Sequence, residues 1–194
     1  MAGERRWLVA VVALAGCAHL KAGAAGDSPC EPVAGRLEAG ADTRDMAGRF
    51  VLTMVATGGA HTGRTVTGFL TLLPQDSAWT AAEGAMQSLR GTTDIPLDSV
   101  GAVRMGELGA ADPAAPGVGV YEQRAEAGGA PTVVVRLGSA SNARGLQAFD
   151  AGHTTLYVRR ITRDGFAGGW ASSAGSTFPM RHAQGYFCAV RSPS

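Results

Sequence analysis

Apolar and polar residues alternate along much of this chain. Residues 48–58, "GRFVLTMVATG", put Phe50, Leu52, Met54 and Ala56 on one side and Arg49, Val51, Thr53, Val55 and Thr57 on the other. A period of two predicts a strand with one buried face. "GGAHTG" (58–63) supplies glycines for a hairpin connection. "RTVTGFLTLLP" (64–74) follows, with Val66, Gly68, Leu70 and Leu72 on one face and Pro74 expected to end it. Further strands are predicted at 99–105, 117–127, 131–138, 154–162, 166–173 and 185–191. Gly128-Gly129 and Asp164-Gly165 are expected to turn two of these pairs. Two stretches, 80–90 ("TAAEGAMQSLR") and 141–150 ("SNARGLQAFD"), permit a helix, yet both contain glycine and also read as irregular loops.

Short alternating strands in sequence order predict an all-β domain. The expected architecture is a single eight-stranded antiparallel up-and-down barrel over residues 47–191, with at most one short helix. A meander β-sandwich is the alternative.

The pattern before residue 47 differs. Trp7 to Gly16 is one apolar run, with Arg5 and Arg6 ahead of it. A membrane-crossing helix needs about 20 residues, so this layout is that of a signal peptide. The run ends in Leu14-Ala15-Gly16-Cys17, which resembles the lipobox of bacterial lipoproteins. That resemblance implies removal of residues 1–16 and acylation of Cys17, for example by palmitate. Ala18 rather than aspartate follows the cysteine, which implies the outer membrane, facing the periplasm. Residues 17–46 then read as the lipidated cysteine and a tether rich in structure breakers.

The chain has three cysteines. With Cys17 given to lipid by the resemblance, Cys30 and Cys188 form an even pair in an oxidising compartment, and a disulfide is expected. Two buried free thiols are the other reading. The chain carries 17 basic and 16 acidic residues, a balance that points to neither nucleic acid nor an anionic surface as partner. The membrane is therefore an expected partner through the lipid alone.

Candidate chemistry is sparse. The sequence has no G-x-S-x-G, and "ASSAGS" (171–176) lies in or beside an expected hairpin rather than at a strand-to-helix elbow. His19, His61, His153 and His182 are far apart in sequence. A zinc site from the last three with Asp150 is conceivable, but solvated loop histidines are the plainer reading. No metal, cofactor or catalytic constellation is expected, and so no enzyme. Arg159 and Arg160 are expected on opposite faces of a strand, which makes no single basic patch.

The barrel interior is what remains. Phe50, Leu52, Met54, Leu70, Leu72 and Trp170 are the candidate lining residues, as a filled core or around one small ligand. The glycine and aromatic of "AGRF" (47–50) and the "GGW" at 168–170 resemble positions in calycins, the group that includes lipocalins. At the level of architecture that resemblance implies a closed barrel able to take a small apolar ligand. A lipid-anchored binding or structural domain is the leading expectation. A protein-binding module, such as an inhibitor of exported proteases, is the alternative, and a hydrolase a third.

Overall fold

Strand β1, Gly48–Gly58, buries Phe50, Leu52, Met54 and Ala56 and turns the residues between them outward, as its alternation requires. The computed structural model describes residues 30–38, 40–80, 86–103, 117–123, 130–137, 153–173 and 182–193. Seven more strands follow: β2 (Thr65–Thr80), β3 (Met86–Thr93), β4 (Gly117–Gln123), β5 (Thr132–Leu137), β6 (His153–Thr162), β7 (Gly165–Ser173) and β8 (His182–Arg191). Each pairs antiparallel with its neighbour in sequence, and β8 returns to β1, with Met54 opposite Phe187. The sheet is therefore a closed eight-stranded up-and-down barrel, not a sandwich. Closure leaves no free edge to template pairing with another chain.

The count of eight agrees with expectation, but one member differs. Residues 99–103, the described part of the strand expected at 99–105, form no strand. Leu97–Val100 forms a 3-10 turn, ended by Gly101 at φ 72°, and the chain is described only as far as Val103. The third strand is β3, which lies largely inside the helix-permissive stretch 80–90. Its neighbours impose it: Leu72 pairs with Gly91, and Leu89 pairs with Val120. Among the described residues there is no α-helix, only this turn and a second 3-10 turn at Thr43–Met46. The expected features at Gly128-Gly129 and 141–150 lie outside the described residues.

Pro74 does not end β2. It sits opposite Leu89, and the register shifts between Pro74 and Trp79. A bulge is where a strand tolerates a residue without an N–H. A second irregularity, between Val158 and Arg160 in β6, overturns the expected split of the arginine pair. The extra residue interrupts the alternation, so Arg159 and Arg160 are both exposed. The β6–β7 turn is Arg163-Asp164, one residue earlier than expected, with Thr162 opposite Gly165.

Part of the stretch expected as tether packs on the barrel instead. Leu37, Thr43 and Met46 are buried. Asp42 caps the Thr43–Met46 turn, its carboxylate accepting from the Arg44 N–H at 2.8 Å. Hydrogen bonds from Arg44 hold the Asp42 carboxyl below its usual range. The pair is at the surface, so its effect on stability is small. The physical reason for the correction is that Leu37 and Met46 are isolated apolar residues. They close one end of the barrel without any period of their own.

Candidate functional site

The six lining residues converge. Phe50, Leu52 and Met54 come from β1, Leu70 and Leu72 from β2, and Trp170 from β7, all within one core with Leu89, Val120, Val135, Leu156 and Phe187. The five from β1 and β2 are 0% exposed, and Trp170 is 2% exposed. A side chain with no exposed surface borders no space large enough for water. At these levels the barrel is packed like other protein interiors. The one polar group on these side chains, the Trp170 indole N–H, donates to the Val55 carbonyl at 3.1 Å.

Both ends are stopped. At the lower end Phe50 meets Phe166 edge-on at 5.2 Å, and Phe166 meets Phe187 at 6.0 Å. These are the offset geometries that aromatic quadrupoles favour. The Arg191 guanidinium lies 4.8 Å over the Phe50 ring. It donates to the carbonyls of Ala47 (2.9 Å), Asp45 (2.7 Å) and Arg163 (2.9 Å). One side chain at the end of the last strand thereby fastens the Thr43–Met46 turn, the first strand and the β6–β7 turn together. Gly48 makes room for it: its φ is 133°, and a Cβ there would lie 2.5 Å from Arg191 Nη1.

At the upper end the chain after β3 folds inward, burying Ile95, Leu97, Val100 and Ala102. Gly68 of β2 permits this, since a Cβ there would lie 2.6 Å from Ile95 Cα. Polar contacts hold the plug in place. The Asp94 carboxylate accepts from the Phe69 N–H at 2.6 Å, and His61 Nδ1 lies 3.1 Å from the Ser99 carbonyl. The Thr154 hydroxyl donates to the Val103 carbonyl at 2.6 Å, and the Ser172 hydroxyl accepts from the Val103 N–H at 2.8 Å. A buried plug of this kind satisfies its backbone groups, as burial demands. Sequence reasoning missed it. The glycine at 68 amid bulky inward residues was its one signal.

A disulfide joins Cys30 to Cys188, with Cα atoms 5.2 Å apart. That separation lies within the usual range for such bonds. It sits on the outer face of β8, in a small cluster with Ala167, Val33 and Tyr186. The chain entering the domain is thus fixed to the barrel wall and not to its lumen. Cys17 lies outside the described residues.

Among the described residues, His, Cys, Asp and Glu side chains gather nowhere in groups of three or more that fit a metal ion. No helix there is long and apolar enough to cross a membrane. No family model, curated protein or solved structure matches the chain.

Proposed function

We propose that this chain is a lipid-anchored domain of the bacterial cell envelope whose solid barrel acts through its outer surface, as a binding or structural unit. The observation that carries this reading is the position of the Cys30–Cys188 bond. It fastens the entering chain to the last strand a short way after the box Leu14-Ala15-Gly16-Cys17. A structural disulfide fits an oxidising, exported setting, and the box supplies the anchor. One acyl chain holds weakly, and two or more hold durably.

The packed interior favours surface action over storage of a small apolar ligand. A ligand in the lumen would have to displace the plug of Ile95–Val103 or create space where the core side chains have none.

Cys17→Ser tests the anchor. Metabolic palmitate labels the wild-type chain, and the variant loses both the label and membrane retention. Label that persists on the variant contradicts the reading.

A further inference from the structure

We propose that the outer wall formed by β6, β7 and β8 lies flat against the anionic phosphate headgroups of the bilayer that carries the anchor. This rests on the lipid-anchored reading and adds which face meets the membrane and by what chemistry.

The first support is where the chain leaves the fold. Cys30 is bonded to Cys188 on this wall, and its Sγ lies 3.6 Å from the Thr53 carbonyl of the adjoining strand β1. Only residues 18–29 separate it from Cys17. Fully extended, that connection spans at most roughly 45 Å. Cys30 therefore stays within that reach of the bilayer, and the wall at its root is the face that approaches with least chain extension.

The second support is charge. The bulge at Arg159 turns two consecutive arginines outward, and Arg163 follows in the turn beside them. Among the described residues no carboxylate forms an ion pair with any of the three. Arg159 Nη1 donates to the Val33 carbonyl at 3.4 Å, which holds that side chain over the wall beside the tether root. The exposed carboxylates nearest the wall are Glu31, Asp164 and Asp45, the last joined to Arg163 through Arg191. Arg159, Arg160, Arg163 and Arg191 against these three leave this side positive, and guanidinium matches phosphate by paired hydrogen bonds.

The third support is aromatic. Tyr157 faces outward at 44% exposure. It pairs with Gly169, which pairs with Tyr186. Tyr157 thus stands exposed on one side of Gly169, over which the Arg159 guanidinium reaches, while Tyr186 on the other side is half-buried against the disulfide cluster. A tyrosine has an apolar body and a polar tip, the combination that settles at headgroup depth. The same row continues through Val134 to Tyr121. The third tyrosine therefore lies two strands further round the curved wall from Tyr157.

Each arginine near an anionic surface shifts the docked equilibrium about fivefold. The test is hydroxyl-radical footprinting of the acylated full chain in vesicles, with tyrosine oxidation and the state of Cys17 read from the same digest. Between neutral phosphatidylcholine and vesicles containing anionic phosphatidylglycerol, oxidation of Tyr157 is expected to fall about fivefold or more. Tyr121 is expected to change little. The double variant Arg160→Gln, Arg163→Gln leaves the Arg159–Val33 hydrogen bond in place and should return Tyr157 to its neutral-vesicle level. Equal oxidation of Tyr157 in both vesicles, on an acylated chain, overturns the docking and leaves the anchor standing. A Cys17 without acyl groups overturns the anchor and the docking with it.

Discussion

Phe50→Ala is expected to lower the stability of the barrel by about 3–5 kcal/mol, among the largest effects of any single substitution here. Phe50 is fully buried. Truncation loses the transfer free energy of the ring and leaves a cavity that closed strands on every side cannot collapse into. It also removes the edge-on contact with Phe166 and the ring beneath Arg191. The guanidinium keeps its carbonyl partners but loses its platform, so the Thr43–Met46 turn should loosen as well. Urea unfolding of the wild type, Phe50→Ala, Arg191→Ala and the double variant measures this. If ring and guanidinium act as one fastening, the two losses are not additive, because removing either already frees the turn. Fully additive losses would mean that Arg191 works through the carbonyls alone.

Cys30→Ser is the second large effect. The bond spans 158 residues of sequence. Restriction of the unfolded chain by a loop of that length contributes up to about 5 kcal/mol in the chain-entropy account. The observed loss is expected at 2–5 kcal/mol. The position of the bond argues that most of this acts through the unfolded state. Cys30 and Cys188 share only a small cluster on the outer wall, while the main core lies inside the barrel. The variant should therefore keep its strand spectrum and unfold at lower urea. It should also expose Cys188 to a thiol probe in denaturant without reductant. No gain in Cys188 reactivity would contradict the bond.

What was legible in the sequence follows from which residues have a face to bury. Strands β1, β2 and β5 announce themselves because each carries several large apolar residues at every second position, and five of the six lining residues fall out of that pattern directly; β4, β6, β7 and β8 alternate with fewer large residues, such as Trp170 in β7 and Phe187 in β8. Strand β3 does not. Its inward positions run through Leu89, Gly91 and Thr93, so one large side chain stands where a pattern needs several. Pairing on both sides decides it. Residues 97–102 show the opposite error. Leu97, Val100 and Ala102 are apolar because they stop the mouth of the barrel, a role without strand periodicity. Strict alternation puts Arg159 and Arg160 on two faces, and the bulge that turns both outward has no clear signature in one sequence. The Arg191 fastening was hidden for another reason. Its hydrogen-bond partners are backbone carbonyls, and a carbonyl has no residue identity to read. Lumen and disulfide were legible, then, while the two closures and the basic wall depend on contacts between distant segments.

In the proposed arrangement a disulfide-fastened barrel hangs from an acylated Cys17. The most direct measurement is the intact mass of the protein isolated from the envelope of cells expressing the full chain. The expected species is a chain beginning at Cys17, heavier by its acyl groups and lighter by the two hydrogens of the Cys30–Cys188 bond. A chain that keeps residues 1–16, or one with an unmodified Cys17, would contradict it.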